Sequence, residues 1–206
     1  MKILIACEFS GTVRDAFLTL GHEAWSCDLL PTEKPGPHIQ GDVRDFLGSC
    51  QANNFKHWDL MIAFPPCTYL CSSGLHWNKK VSGRQAKTDE AIKFITLLLN
   101  APIDKIALEN PIGCISSRIR KPNQIIQPWQ FGHDASKATC LWLENLPKLK
   151  YTNLVEPRII NGKPRWENQT DSGQNRLGPS IDRWALRSLT YPGIAKAMAE
   201  QWGNLT

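Results

Sequence analysis

The chain has 206 residues, of which 42% are hydrophobic and 21% are charged. This length and composition exclude a disordered or fibrous chain and predict a single folded domain over residues 1–206. The net charge of +5 is mildly basic, which permits a nucleic-acid partner without requiring one. No apolar run approaches the roughly 18 residues of a membrane span, and the N-terminus lacks a signal-peptide pattern. We therefore expect a cytoplasmic protein with no membrane partner.

Short apolar runs alternate with helical spacing along the chain. In chain order, the predicted elements are a strand over Lys2–Cys7, a helix over Thr12–Gly21, a strand over His22–Leu30, a short helix within Gly41–Leu47, a strand over Trp58–Phe64, a helix over Thr88–Ala101, strands over Lys105–Asn110 and Thr139–Leu146, and a helix over Gly193–Gly203. Strands that alternate with helices predict an α/β fold with a mostly parallel sheet.

Polar residues and prolines follow five of the predicted strands or turns. They are Glu8–Gly11, Asp28, Asp42, Pro65–Cys67 and Glu109. In open α/β sheets, ligands bind outside the carboxyl ends of the strands. We therefore expect these residues to meet at one edge of the sheet and to form a ligand site there.

Cysteine is the candidate nucleophile of this chain. The seven cysteines are Cys7, Cys27, Cys50, Cys67, Cys71, Cys114 and Cys140. The odd count without a CxxC pair predicts reduced thiols and no metal site, because zinc sites use closely spaced Cys and His pairs. Cys67, after two prolines, is either a buried packing residue or a nucleophile, which requires an exposed and partly ionised thiol. Cys71 either supports Cys67 or is a small packing residue.

A carboxylate at another strand end complements the thiol. Glu109 is a candidate proton donor. A thiol and an acid together suit an electron-poor ring: the thiol adds to C6 of a pyrimidine while the acid interacts at N3. C5 then becomes nucleophilic enough to attack an alkyl donor.

The segment 151–187 differs in composition from the rest of the chain. It is rich in Pro, Asn and Gly and is predicted to be irregular. Its basic residues are Arg158, Lys163, Arg165, Arg176, Arg183 and Arg187. It is either a solvated surface loop or a basic flap over the predicted site that contacts phosphates or substrate.

The sequence motifs resemble, in order, those of the C5-cytosine-specific DNA methyltransferase family, which uses S-adenosylmethionine. "EFSG" resembles the first motif, in which Phe9, Ser10 and Gly11 would line the cofactor. Asp28 resembles the acid that holds the ribose hydroxyls, and "GDVRD" is similar to the third motif, with Asp42 at the adenine amino group. "PGIAKAMAEQW" resembles the last motif, a helix that completes the cofactor pocket. The resemblance implies a Rossmann-like methyltransferase fold with helices on both faces of a mostly parallel sheet.

The same resemblance implies the catalytic residues. "PPC" is similar to the nucleophile motif, with Pro65 at the cofactor, Pro66 at the substrate and Cys67 as the nucleophile. "ENP" stands where the family has Glu-Asn-Val. Glu109 is then the acid that binds cytosine, and Asn110 also lies at the substrate.

Further substrate contacts follow from the resemblance. Lys137 and Thr139 stand at the two arginines of the family's Arg-x-Arg element, which contacts the cytosine carbonyl, and Arg118 and Arg120 are an alternative donor pair. His76 falls on the loop that closes over the flipped base. On that loop, Lys79, Lys80, Arg84 and Lys87 are expected to meet phosphates, unless the loop is simply a solvated basic segment.

One family feature is absent from the sequence. Only the segment from about residue 151 to 187 stands where sequence-specific members insert a target-recognition domain. The chain resembles the short, phage-type members, as in restriction–modification, and we expect DNA recognition of little or no sequence specificity in a bacterial host or phage-infected cell. The implied activity is transfer of a methyl or related alkyl group from S-adenosylmethionine to C5 of cytosine in DNA. Alternatives are an eroded, methyltransferase-like protein that binds nucleic acid, nucleotide or a host defence factor, and the same chemistry on RNA or free cytosine nucleotides.

Overall fold

The computed structural model describes residues 1–49 and 58–205, and Cys50 lies outside these ranges. Its strands are β1 (Lys2–Ala6), β2 (Glu23–Asp28), β3 (His38–Gln40), β4 (Leu60–Ala63), β5 (Lys105–Pro111), β6 (Gln124–Ile126), β7 (Thr139–Glu144), β8 (Arg158–Ile160) and β9 (Lys163–Arg165). Its helices are α1 (Thr12–Thr19), α2 (Val43–Ser49), α3 (Ser72–Leu75), α4 (Arg84–Leu99), α5 (Ile115–Arg118), α6 (Arg183–Ser188) and α7 (Pro192–Trp202). Two 3₁₀ turns cover His76–Lys79 and Pro128–Gln130.

Seven strands form one sheet in the order β3-β2-β1-β4-β5-β7-β6. The pairs from β3 through β5 are parallel, whereas β7 runs antiparallel to both β5 and β6. The order reverses between β1 and β4, so the carboxyl ends of these two strands flank a crevice of the kind that binds ligands in open α/β sheets. The predicted Rossmann-like α/β fold with a mostly parallel sheet is confirmed.

Helices cover both faces of the sheet, as predicted. Alternate residues of each buried strand point to opposite faces, so Ile3 and Ile5 join one core while Leu4 and Ala6 join the other. The first core contains residues of α1 and α7, including the fully buried Trp202. The second core contains residues of α2, α4 and α5. The sheet is therefore fixed from both sides, and its carboxyl edge is a rigid support for a site.

The segment 151–187 contains regular structure, so the prediction of an irregular segment is wrong in part. Strands β8 and β9 pair as an antiparallel hairpin. Asn161 and Gly162 connect them with φ of 50° and 72°, which is the geometry that an Asn-Gly turn favours. The sequence contains this Asn-Gly pair between two short runs of β-branched and basic residues. The prediction of an irregular segment rested on the overall Pro, Asn and Gly content and did not use the pair.

The described part of the chain shows no membrane-spanning helix and no metal cluster. None of its helices is long and apolar enough to cross a bilayer. No group of three or more His, Cys, Asp or Glu residues lies in a metal-binding arrangement within residues 1–49 and 58–205. The six cysteines in these ranges are free thiols.

Candidate active site

The nucleophile candidate stands at the start of a tight turn after β4. Pro65 is buried, Pro66 is exposed and Cys67 is half-buried. The Cys67 carbonyl accepts hydrogen bonds from the backbone N–H of Leu70 at 2.9 Å and of Cys71 at 3.0 Å. The two prolines fix φ before the turn, so the thiol has a defined position at the carboxyl end of β4.

Two residues at and just after the end of β5 form hydrogen bonds with this turn. The Asn110 side-chain amide donates to the Pro65 carbonyl at 2.8 Å, and the Cys114 N–H donates to the Leu70 carbonyl at 2.9 Å. Asn110 is only 1% exposed, and its Oδ1 has no protein partner. Asn110, predicted to bind substrate, therefore positions the nucleophile turn in this structure.

Glu109 projects into a small cleft beside the turn. The cleft of about 300 Å³, open to solvent, is lined by Phe64, Glu109, Lys137, Thr139, Ser188, Leu189, Thr190, Tyr191, Ile194 and Met198. Burial raises the pKa of Glu109, and the Lys137 charge and a hydrogen bond with Thr139 oppose that rise. The protonated acid, which can donate to a ring nitrogen, is thereby favoured over its ordinary state in water.

Lys137 and Thr139 reach the same cleft, but their polar groups are engaged within the protein. Lys137 Nζ donates to the carbonyls of Arg187 at 2.8 Å and Leu189 at 3.3 Å. Thr139 Oγ1 donates to the Lys137 carbonyl at 3.1 Å. The end of α6 is thus held across the Glu109 cleft, and a bound base would need Lys137 to exchange one of these partners.

A second, larger groove of about 1230 Å³, open to solvent, lies beside the nucleophile turn. It is lined by Cys7, Cys27, Asp28, Leu29, Gly41, Asp42, Val43, Arg44, Pro66, Tyr69, Leu70, Lys87, Glu90, Ala91 and Phe94. Three acidic residues, Asp28, Asp42 and Glu90, therefore line a mostly apolar groove at the carboxyl ends of β1 and β2. A groove of this composition suits a planar base with a hydroxylated sugar.

Asp28 and Asp42 differ in their hydrogen-bond partners. The Asp28 carboxylate accepts the Leu30 N–H at 2.9 Å. Asp42 accepts the Arg44 Nε–H, which both carboxylate oxygens share at 2.9 Å, and also the Arg44 Nη2 and the Arg44 backbone N–H. These hydrogen bonds lower the pKa of Asp42. The Arg44 side chain is 62% exposed, so it can swing away when a ligand approaches Asp42.

The residues of the predicted first motif form contacts mainly with other residues of the protein. Ser10 is buried and bonds Glu8 at 3.2 Å, and Glu8 accepts the N–H groups of Val13 at 2.7 Å and Arg14 at 3.3 Å at the start of α1. Phe9 contacts the Trp184 ring of α6 with centroids 5.9 Å apart. Neither Phe9, Ser10, Gly11 nor Pro65 lines the large groove.

The structure does not bring the alternative arginines to the Glu109 cleft. Arg118 pairs with Asp89 of α4 at 2.9 Å. Arg120 donates to the Leu143 carbonyl and pairs with Glu144. Because β7 is antiparallel to β5, with Glu144 beside Ile106, Arg120 lies toward the amino end of β5. Neither arginine lines the Glu109 cleft.

His76 lies on the exposed loop that follows the nucleophile turn. Its ring contacts Trp77 with centroids 4.9 Å apart, and Lys80 Nζ lies 5.3 Å from the Trp77 ring. Arg84 lies 4.9 Å from the Tyr69 ring. The loop therefore presents aromatic rings beside positive charges on the surface next to Cys67.

Arg14 is an organising residue that the sequence analysis missed. It is fully buried and donates to Ser26, Thr32, Lys34 and Pro35. A side chain at Gly11 would meet its guanidinium at 2.4 Å. The sequence gives little sign of this role. Arg14 directly follows the apolar Val13 near the start of α1, and an arginine at that position fits an exposed residue equally well.

Comparisons with known proteins find likeness among solved structures and none among sequence families. No family model matches the chain, and no curated protein matches it. Among solved structures, the chain is similar to a proposed DNA modification methyltransferase encoded within a prophage of E. coli, at 9% identity and a TM-score of 0.48. The alignment covers 78% of this chain and 53% of that one, so this chain spans about half the length of the protein it matches. No family is assigned to the chain from this likeness.

Proposed function

We propose that the protein transfers a methyl or related alkyl group from S-adenosylmethionine to C5 of cytosine in DNA through a covalent adduct of Cys67. The observation that supports this most is the meeting of Cys67 and Glu109 at one sheet edge. The Glu109 charge is close enough to the thiol to contribute to raising the pKa of Cys67. A nucleophile and an acid close together at one sheet edge can act on one ring.

The chemistry of this pair suits a pyrimidine. Addition of the Cys67 sulfur to C6 places negative charge on the ring, and the protonated Glu109 neutralises it by donation at N3. C5 then has the electron density for alkylation. Phe64 and Tyr191 in the lining of the cleft would exclude water from one face of the base.

The large groove fits the cofactor. S-adenosylmethionine, when bound, supplies an electrophilic methyl group. Asp28, whose Oδ1 accepts the Leu30 N–H, would hold the ribose hydroxyls, and Asp42 would accept the adenine amino group after Arg44 moves. Pro66 lines this groove and directly precedes Cys67, so the groove adjoins the nucleophile.

The loop after the nucleophile supports a nucleic-acid substrate. Trp77 is 47% exposed, and Lys79, Lys80, Arg84 and Lys87 lie on or beside this loop. Aromatic rings stack on bases, and cations bind phosphates with little dependence on sequence. We therefore expect DNA binding of low sequence specificity.

A covalent trap tests the proposal. DNA that contains 5-fluorocytosine, incubated with the protein and S-adenosylmethionine, should form a stable adduct with the wild type and none with Cys67→Ala. Cys114→Ala, which removes a different thiol, should retain the adduct. Adduct formation by Cys67→Ala would contradict the role of Cys67. Mass spectrometry of nucleosides from cells that express the protein identifies the base, the polymer and the added group, and so separates DNA from RNA or free nucleotides.

The structure also favours a second candidate, a binding protein without turnover. Lys137 is bound to the carbonyls of α6 and its neighbour, and residues 188–191 line the Glu109 cleft. A permanently closed cleft would exclude cytosine. Calorimetry separates the two: absence of S-adenosylmethionine binding at millimolar concentration supports the binding protein, and binding supports the transferase.

A further inference from the structure

Helix α6 is held at the mouth of the Glu109 cleft by its last turn. The Lys137 ammonium donates to the Arg187 carbonyl at 2.8 Å and to the Leu189 carbonyl at 3.3 Å. Residues 188–191, which end the helix and follow it, line the cleft together with Glu109. A DNA strand whose cytosine occupies the cleft would therefore run beside α6.

Arg187 carries a positive charge that no acidic residue pairs with in the described ranges. The residue is exposed, and within residues 1–49 and 58–205 its guanidinium forms no hydrogen bond and no salt bridge. Two other arginines nearby differ, because Arg183 donates to the Leu177 carbonyl and Arg84 to the Thr68 carbonyl. The nearest acid in the sequence, Asp182, is five positions before Arg187, more than one turn of about 3.6 residues away.

The charges around the cleft leave a positive excess at its mouth. Lys137 is a second cation there, and its hydrogen bonds go to neutral carbonyls. Burial raises the pKa of Glu109, which favours the uncharged acid over a counterion for these cations. The Arg187 charge also acts on Cys67 and Cys71 of the nucleophile turn. An anion is therefore the ligand that this surface suits.

Trp184 provides an aromatic surface beside Arg187. Residues three positions apart are neighbours on a helix, so the two side chains belong to one surface of α6. Trp184 is 59% exposed, and its ring contacts the Phe9 ring with centroids 5.9 Å apart. Phe9 thus supports the indole while much of it stays open to solvent. An exposed, supported ring beside an unpaired cation is the combination that binds nucleic-acid strands.

We infer that Arg187 and Trp184 form a DNA-contact surface, in which Arg187 binds a phosphate next to the target cytosine and Trp184 stacks on a neighbouring base. The inference deepens the proposed function and rests on it, because the Glu109 cleft is where the target base would enter. Arginine suits the position, since a guanidinium donates two parallel hydrogen bonds to one phosphate. The surface is distinct from the loop that carries Trp77 and Lys80.

Equilibrium binding of single-stranded DNA tests the surface without any chemistry. The affinity of the intact protein for a fluorescent cytosine-containing oligonucleotide is measured by anisotropy over a range of salt concentrations. Arg187→Gln should reduce the slope of log K against log salt by about 0.7, the loss of one phosphate contact. Trp184→Ala should weaken binding about 10-fold with an unchanged slope, and Trp184→Phe, which keeps a ring, should restore most of the affinity.

Lys148→Gln is the matched control for charge. Lys148 is exposed and follows β7, whose end lies beside Ile106 at the amino end of β5. This variant removes one positive charge away from the cleft and should keep the wild-type slope and affinity. Thermal unfolding of each variant confirms that it is folded. A wild-type slope in Arg187→Gln, or an equal loss of slope in Lys148→Gln, would overturn the phosphate contact, and wild-type affinity in Trp184→Ala would overturn the stacking.

Neutralising single phosphates locates the contact. Oligonucleotides with one uncharged methylphosphonate on the 5′ or the 3′ side of a 5-fluorocytosine are compared in the covalent trap. One of the two should slow adduct formation by the wild type about 10-fold and have little further effect on Arg187→Gln, because both changes remove the same contact. Fully additive losses would overturn the assignment. If the wild type forms no adduct while Arg187→Gln still lowers the salt slope, the proposed function fails and the DNA-contact surface stands.

Discussion

Gly113→Ala is expected to displace the nucleophile turn. Gly113 forms an isolated antiparallel bridge with Cys71, and a Cβ added there would lie 2.0 Å from the Leu70 carbonyl oxygen and 2.9 Å from the Cys71 Cα. Real Cβ atoms are essentially never found closer than 3.0 Å, and the contacts are backbone atoms that cannot rotate away. The turn and the end of β5 must therefore separate by about 1 Å.

Two effects follow from this separation. The bridge includes the bonds from Cys114 N–H to Leu70 and from Ser72 N–H to Ile112, at 2.9 and 3.0 Å. Loss of two such bonds at about 1 kcal/mol each costs about 2 kcal/mol, or roughly 4–8 °C in Tm for a chain of this size. Misplacement of a reacting atom by about 1 Å costs on the order of 100-fold in rate.

Thermal unfolding and the rate of the 5-fluorocytosine adduct measure the two effects separately. Gly178→Ala is the matched control, since an added Cβ there meets nothing within 4 Å and neither glycine has a left-handed φ. Gly178→Ala should leave both quantities unchanged. A Gly113→Ala protein with wild-type Tm and wild-type adduct rate would refute the view that this bridge positions Cys67.

Three further variants test other parts of the site. Burial raises the pKa of Glu109, so its charge destabilises the folded state as pH rises above the unfolded value of 4.5. At pH 7, Glu109→Gln should therefore unfold at a higher denaturant concentration than the wild type, and at lower pH the two proteins should unfold at the same concentration. Adduct formation should be lost. Equal stability of the two proteins at pH 7 would contradict the burial of the Glu109 carboxylate. Arg14→Met removes the hydrogen bonds to the buried Ser26 hydroxyl and to three less buried acceptors on Thr32, Lys34 and Pro35. It should cost about 3 kcal/mol, or roughly 10 °C in Tm, against no change if Arg14 is dispensable. Asp28→Asn should weaken S-adenosylmethionine binding about 10-fold by calorimetry with Tm preserved; unchanged affinity would place the ribose elsewhere.

The sequence predicted the strands and helices that have strong periodicity. The apolar runs of β1, β4 and β5 are buried on both faces of a parallel sheet, so each is a continuous signal ended by polar residues or prolines. The three-residue strands β3 and β6 were missed because they are too short to show a period. They lie at the two edges of the sheet, and one of the three residues in each strand is exposed.

The sequence predicted which residues lie at the candidate site, but it did not predict which residues they contact. Cys67, Glu109, Asp28 and Asp42 do lie at the carboxyl edge, because a parallel sheet brings strand ends together. The partners of Asn110 and Lys137 depend on residues distant in sequence: Pro65 is 45 positions from Asn110, and Arg187 is 50 from Lys137. No local pattern encodes such pairs.

The reversed direction of β7 changes which parts of the chain can build the site. In a fully parallel sheet, only residues that follow strands reach the carboxyl edge. Here Thr139 begins β7 beside Pro111, and Glu144 ends it beside Ile106, so the loop before β7 joins the loops after β4 and β5. The chain then leaves the sheet at the opposite edge. It returns past Trp129, whose carbonyl accepts the Val155 N–H at 2.9 Å, and only then reaches α6, which covers Glu109. An insertion in that returning segment would alter the wall of the cleft while the strands that position Cys67 and Glu109 keep their register.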